Sequence, residues 1–255
     1  MKAAARKTLL VLGQAAVTAL LFFAPAGTFA YWQAWVYIFV TVALSSALFA
    51  YFRRKDLALM ERRRRGPGAE KQTAQKLLHY LAIFVFASTL VVSSFDHRFS
   101  WSRVPLAVEI AGYAILALGY LIYFRVFSEN SYSGATIEVS PGQTVISTGP
   151  YAIVRHPMYA GLLMMLLGTP LALGSWWGVL MLVPMALDIA LRIRYEEQFL
   201  VANLAGYAAY CRKIRSASYQ PFGSLRLGDE ASAPARSVAD CNPAERCAFT
   251  RVCKT

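Results

Sequence analysis

Apolar residues in this chain fall into long, nearly uninterrupted runs rather than the short alternations of a water-facing fold. The first run covers Thr8 to Phe23, behind the basic residues Lys2, Arg6 and Lys7. Further runs cover Trp32 to Phe52, Leu77 to Phe95 and Leu106 to Phe127. The last two, Met158 to Leu173 and Trp176 to Leu191, are separated only by Gly174-Ser175. Runs of this length approach the roughly 20 residues a helix needs to cross a bilayer. A Gly-Ser break between two of them predicts a helical hairpin with a tight tip. The expected fold class is therefore all-α: a polytopic helical membrane protein of about six transmembrane helices, with a C-terminal helical hairpin.

Composition agrees. The hydrophobic fraction is 57% and the charged fraction 16%, against about half and a quarter in soluble domains. Mean hydropathy is +0.42. The formal net charge of +12 would suggest nucleic acid on a soluble domain, but here the basic residues alternate with the apolar runs, so no nucleic-acid partner is expected. In a membrane protein such residues set orientation. The segment 53–76 carries nine of them, from Arg53 to Lys76, whereas residues 25–31 carry none. The positive-inside rule puts that basic loop and both termini in the cytoplasm, consistent with a multi-pass protein of a bacterial inner membrane. Cleavage of the first run as a signal peptide is disfavoured, because Thr28-Phe29-Ala30 is a poor Ala-x-Ala match. The four-arginine run Arg62 to Arg65 reads first as a topology anchor, and second as a means of gathering anionic lipid.

Three regions follow: a four-helix membrane region (1–127), a catalytic region (128–222) and a tail (223–255) whose Ala, Ser, Pro and Arg composition predicts disorder. Cys211, Cys241, Cys247 and Cys253 form no Cys-x-x-Cys pair, and the histidines are His79, His97 and His156. No metal site is expected.

Two polar clusters flank the hairpin. The first is Gly149-Pro150-Tyr151, followed by Arg155-His156-Pro157-Met158-Tyr159-Ala160-Gly161; the second is Arg192-Ile193-Arg194-Tyr195-Glu196-Glu197. Pro157 lies roughly 17 residues before the tip and Glu196 roughly 21 after it. At about 1.5 Å per residue both stand about 25–32 Å from the tip, so the two clusters should meet at one membrane depth. Gly149 and Pro150 suit a turn and Pro157 a first helical position. The free N–H groups of that helix start, with Arg155, suit an anion. Tyr151 and Tyr159 offer aromatic faces to an adenine or a sulfonium. Gly161 permits close approach by a ligand or by a neighbouring helix. Asp188, inside the last run, either pairs with Arg192 one turn later or serves a site. Arg192 and Glu196 also form a possible i,i+4 pair.

With Leu200, Gly206-Tyr207, Tyr210 and Pro221 added, this pattern resembles the integral-membrane methyltransferases grouped with isoprenylcysteine carboxyl methyltransferases and phospholipid N-methyltransferases. The resemblance runs from about Arg125 to Pro221. It implies S-adenosylmethionine as methyl donor, held near the cytosolic face by Gly149, Pro150, Tyr151, Arg155, His156, Pro157, Tyr159, Gly161, Glu196 and Glu197. It implies a lipophilic or lipid-linked acceptor arriving from the bilayer. Arg155, Glu196 and Glu197 are the expected catalytic residues, Arg155 binding a carboxylate and a Glu binding ribose or ammonium, or accepting a proton from an amine. Asn130 and Tyr132 are the expected substrate contacts. The loop Ser128 to Ser133 lacks the histidine of eukaryotic prenylcysteine enzymes, which puts prenylcysteine in doubt as substrate. Carboxylate O-methylation and amine N-methylation both stay open. Membrane sterol reductases, which use NADPH, share a similar hairpin, but Met158 and Leu162 stand where they carry an Asn and an acidic residue. A transporter or scaffold would spread polar groups through several spans at mid-depth.

Overall fold

A computed structural model describes residues 17–70 and 72–214. The start of the first apolar run, Pro221 and the 223–255 tail lie outside the described residues, as do Cys241, Cys247 and Cys253. The described chain is all helical, without strands. It comprises α1 (described part Val17–Ala26), α2 (Trp32–Lys55), α3 (Leu57–Arg63), α4 (Thr73–Phe99), α5 (Leu106–Glu129), α6 (Pro157–Ala172), α7 (Trp176–Val179), α8 (Leu182–Asn203) and α9 (Tyr207–Lys213). Among the described residues, four helical stretches are long and apolar enough to cross a membrane: α2, α4, α5 and the α7–α8 stretch Trp176–Asn203. Two further apolar helices are shorter, the described part of α1 and α6. At 16 residues, α6 spans only about 24 Å, short of the roughly 30 Å hydrocarbon core. The fold class is the one the hydropathy pattern predicts, with four helices of spanning length among the described residues. Phe39, Phe84, Ile110 and Leu187 project outward and exposed, as expected where the surrounding solvent is lipid.

α5 and α6 form the most extensive helix pair. Their contact is built on glycines at seven-residue spacing, Gly112 and Gly119 on α5, Gly161 and Gly168 on α6. A Cβ added at Gly119 would fall 2.8 Å from the Gly161 carbonyl oxygen. One added at Gly168 would fall 2.7 Å from the Gly112 carbonyl oxygen and 2.8 Å from the Leu116 nitrogen. Between lipid-embedded helices there is no hydrophobic drive to associate, so close backbone approach at small residues supplies the packing.

The hairpin tip falls at Gly174-Ser175, as its sequence predicts. Gly174 has φ +71, a left-handed conformation that suits glycine. The Ser175 hydroxyl caps α7 by accepting from the Gly178 N–H at 2.9 Å, and donates to Asp96 at 2.6 Å. Tyr31 donates to the Leu173 carbonyl at 2.7 Å. The returning leg differs from the expected single helix ending at Leu191. After one turn it breaks at Leu180-Met181, where backbone bonds tighten to the i→i−3 type, as in Val183 N–H to Leu180 C=O at 3.2 Å. Pro184 is the cause, since it has no N–H to give the Leu180 carbonyl and its ring crowds that group. The helix then continues to Asn203, so Arg192, Glu196 and Glu197 stand on its rigid extension.

At the opposite end of the bundle from the tip, the basic segment folds back as α3. Asp56 caps it, accepting from the Leu59 N–H at 2.9 Å. Phe52, Leu59 and Met60 pack with Val126 and Phe127 of α5. This places Arg62, Arg63 and Arg65 beside the irregular connection between α5 and α6.

Candidate functional site

The α5–α6 connection, the start of α6, the end of α8 and α9 enclose a cavity of about 340 Å³. That size is within the range of small-molecule sites. Its polar wall is where the two sequence clusters meet. The Tyr159 hydroxyl donates to Glu196 at 2.8 Å. His156 Nε2 lies 3.0 Å from Glu197 Oε1, and Arg155 Nε lies 2.9 Å from the same oxygen. The Arg155 contact has ion-pair distance without hydrogen-bond alignment. Residues separated by some forty positions thus share one carboxylate, as the hairpin geometry predicts.

The local chain explains this arrangement. Gly149 opens a 3₁₀ turn, Gly149–Ala152, at φ +55, with Pro150 inside it. It packs on Glu129, where an added Cβ would come within 2.6 Å of the Glu129 side chain. Gly149 and Pro150 shape the turn from outside the cavity wall, and Tyr151 enters it. Pro157 begins α6 and His156 precedes it, 6% exposed. The Tyr159 and Ala160 N–H groups return to the His156 carbonyl at 3.1 and 3.4 Å. The anion beside this helix start is the protein's own Glu197. Gly161 turns away from the cavity to α5, meeting Ile122 and Tyr123, so of its two expected uses the structure shows helix packing.

Arg192 departs from both pairings expected of it. Rather than binding Glu196 or Asp188, it donates to the Tyr159 hydroxyl at 3.1 Å, to Glu70 at 2.9 Å and to the Ala135 carbonyl at 3.0 Å. Glu70, 8% exposed, also accepts from the Ile137 N–H at 3.3 Å. Asp188 is left 2% exposed, lining the cavity, and its Oδ1 has no hydrogen-bond partner among the described residues.

The basic run does more than mark topology. Arg63 donates to the Gly134 carbonyl at 2.8 Å and to the Met158 sulfur at 3.3 Å, and its guanidinium stacks 5.1 Å from the Phe127 ring centre. Arg62 donates to the Ser131 carbonyl and covers the Tyr132 ring, while Arg65 pairs with Glu138. Together they hold residues 131–138 over the cavity. Neither Arg63 nor Glu70 stands out in the sequence; Pro-Gly spacing around a four-arginine run gives no hint that its second arginine turns inward.

Asn130 and Tyr132 both line the cavity. The Asn130 side chain is engaged on both sides, donating to the Tyr151 hydroxyl at 2.9 Å and accepting from the Tyr132 N–H at 2.9 Å. Burial pushes the Tyr151 hydroxyl up to about 12, partly offset by that Asn130 bond. From α9, Tyr210 donates to the Tyr151 carbonyl at 2.8 Å, and burial likewise raises its pKa to about 12. The buried Tyr207 hydroxyl lines the cavity and has no hydrogen-bond partner among the described residues; burial holds its pKa above the ordinary tyrosine range.

The cavity therefore combines aromatic faces, carboxylates and cations at one polar end, where the Tyr207 hydroxyl is among the buried groups without a hydrogen-bond partner among the described residues. Such a set suits a zwitterionic ligand with an aromatic base. No curated protein matches this chain. Residues 108–205 match the family model described as phospholipid methyltransferase. The match runs from α5 through α8 and takes in both motif clusters, and the family suggests a membrane methyltransferase.

Proposed function

We propose, on the premise that residues 108–205 are a phospholipid-methyltransferase segment, that this protein is an integral-membrane methyltransferase. It uses S-adenosylmethionine as donor and acts on a lipophilic or lipid-linked acceptor, a carboxylate or an amine. The observation that carries the reading is the convergence of Arg155, His156 and Tyr159 with Glu196 and Glu197 beside one cavity.

When bound, the donor supplies an electrophilic methyl group on a sulfonium. Methyl transfer is an in-line displacement, so the protein's task is chiefly positioning. Tyr151, Tyr207 and Tyr210 offer the faces and hydroxyl for the base and sulfonium. Glu196 suits the donor's ribose hydroxyls or ammonium; Glu197, outside the cavity lining, holds Arg155 and His156, which suit the donor's carboxylate. The 131–138 segment, held by Arg62, Arg63 and Arg65, excludes water from this end. Cytoplasmic placement of the basic segment and of the site belongs to the same reading, through the charge bias of residues 53–76.

Calorimetry on the purified protein with S-adenosylmethionine and with NADPH tests the donor. Binding of S-adenosylmethionine alone, weakened by Arg155→Ala and Glu196→Gln, is the expected result. Binding of NADPH alone would replace the reading with a reductase. Mass spectrometry of a lipid extract incubated with isotopically labelled donor then identifies the methylated molecule.

A further inference from the structure

The cavity has a second, apolar end, and it contains one charge. Asp188 lies between Met185 and Ile189 on α8, in a cluster that includes Leu162 of α6 and Ala82 of α4. The outer face of the same helix, Val183 and Leu187, is exposed where lipid would lie. Asp188 points inward instead, 2% exposed, lining the cavity, with no hydrogen-bond partner for Oδ1 among the described residues. Leaving a carboxylate in such surroundings without a partner is costly, and carboxylates inside membrane helices characteristically serve a function. The nearest cation along the helix is already committed, since Arg192 bonds to Tyr159, Glu70 and Ala135. Asp188 stands two helical turns from Glu196, about 12 Å along the axis, so it belongs to the far side of any ligand held by the polar end.

We propose that Asp188 is the group that recognises the methyl acceptor: it takes a cationic amine headgroup entering from the bilayer and turns away a carboxylate. This rests on the methyltransferase reading and chooses between its two acceptor classes. An ammonium supplies both the charge and the donor that Oδ1 lacks, and passing its proton to that carboxylate frees the nitrogen lone pair to form the N–C bond as the donor's S–C bond breaks; a second carboxylate would meet repulsion in a medium that screens it poorly. The surrounding Leu162, Met185 and Ile189 side chains suit the alkyl part of the same molecule.

The test compares binding of a long-chain primary alkylamine with that of the alkyl carboxylate of equal chain length. The full chain is used, in neutral detergent near neutral pH, and S-adenosylmethionine affinity is measured in parallel. Wild type should prefer the amine by about tenfold or more, the scale expected for a desolvated charge pair. Asp188→Asn should erase that preference with donor affinity unchanged, and Asp188→Glu should retain it. Three results overturn the proposal: equal binding of both probes by wild type, an amine preference that survives Asp188→Asn, or loss of donor binding in Asp188→Asn, which would assign the carboxylate to the donor. Should Asp188→Asn not fold, the wild-type preference and Asp188→Glu decide. A wild type that prefers the amine but binds no S-adenosylmethionine refutes the methyltransferase reading and leaves Asp188 as an amine site.

Discussion

The Tyr159 hydroxyl sits between two charges of opposite sign, donating to Glu196 at 2.8 Å and accepting from Arg192 at 3.1 Å. It is 5% exposed, and it ties the first turn of α6 to α8. Hydrogen bonds to charged groups contribute about 1.5–3 kcal/mol each. Tyr159→Phe keeps the ring and removes both. We expect a clear fall in thermal midpoint, measured in one detergent, together with weaker donor binding. An unchanged midpoint and affinity would mean that the Glu196–Arg192 link bears no load.

Glu197 serves two groups, the Arg155 guanidinium at 2.9 Å and the His156 ring at 3.0 Å. Removing the carboxylate leaves Arg155 partly buried without its counter-ion, which costs more than losing the pair together. Glu197→Gln should therefore destabilise more than the double change Arg155→Ala with Glu197→Gln. A double-mutant cycle on unfolding should give a coupling of about 1–3 kcal/mol. Additive single effects would show the two side chains to be independent.

The α5–α6 contact makes a separate prediction, because the site depends on where α6 starts. At Gly168 a Cβ would meet backbone atoms of Gly112 and Leu116 at 2.7 and 2.8 Å, which no side-chain rotation relieves. Gly168→Val should lower the yield of folded protein and its thermal midpoint severely. Gly66 has no atom within 4 Å of an added Cβ and ordinary φ, so Gly66→Ala should be neutral. Equal behaviour of the two variants would remove the glycines from the account of helix packing.

The hairpin and the meeting of its two polar ends were legible in the sequence because helix rise converts residue count directly into depth. Gly174-Ser175 gave the tip, and Arg155, His156, Glu196 and Glu197 arrive together as the count requires. Partner choice was not legible. Arg192 is spaced correctly for Asp188 and Glu196, yet three acceptors from other segments claim it, and Glu70 among them is more than a hundred positions away. Arg63 was hidden for a related reason: its neighbours in the run are partly or fully exposed, and only the fold of α3 selects which arginine turns inward. The break at Leu180-Met181 was readable in principle from Pro184, but an apolar run of that length hides a kink.

Tyr151 supplies a pH dependence. Its hydroxyl is pushed up to about 12 from an ordinary 10.0, chiefly by burial. A group whose folded pKa is raised gives stability that is fully present below the unfolded value and lost as pH rises through the folded one. The loss from this residue should therefore develop between about pH 10 and 12. Tyr151→Phe should flatten that part of a denaturation-against-pH curve, on a neutral plateau lowered by about 0.5–1.5 kcal/mol through loss of the Asn130 bond. A wild-type curve that does not fall in this window, or a variant curve of identical shape, would contradict it.

Arg63 and Arg64 are adjacent in sequence and should behave oppositely. Arg63 donates to the Gly134 carbonyl and the Met158 sulfur and covers Phe127; Arg64 is exposed. A capping segment without regular structure depends on such side-chain bonds for its order. Arg63→Ala should raise hydrogen exchange across residues 131–138 and weaken donor binding by about tenfold, since loss of one or two charged hydrogen bonds is worth about 1.5–3 kcal/mol. Arg64→Ala should change neither by more than about 0.5 kcal/mol, as for other exposed surface changes. If both variants loosen the segment equally, general positive charge near the membrane is what holds it. If Arg63→Ala alone does so, the inward-facing arginine is part of the site's closure, and a charge-conserving Arg63→Lys, lacking the planar guanidinium that covers Phe127, should rescue it only in part.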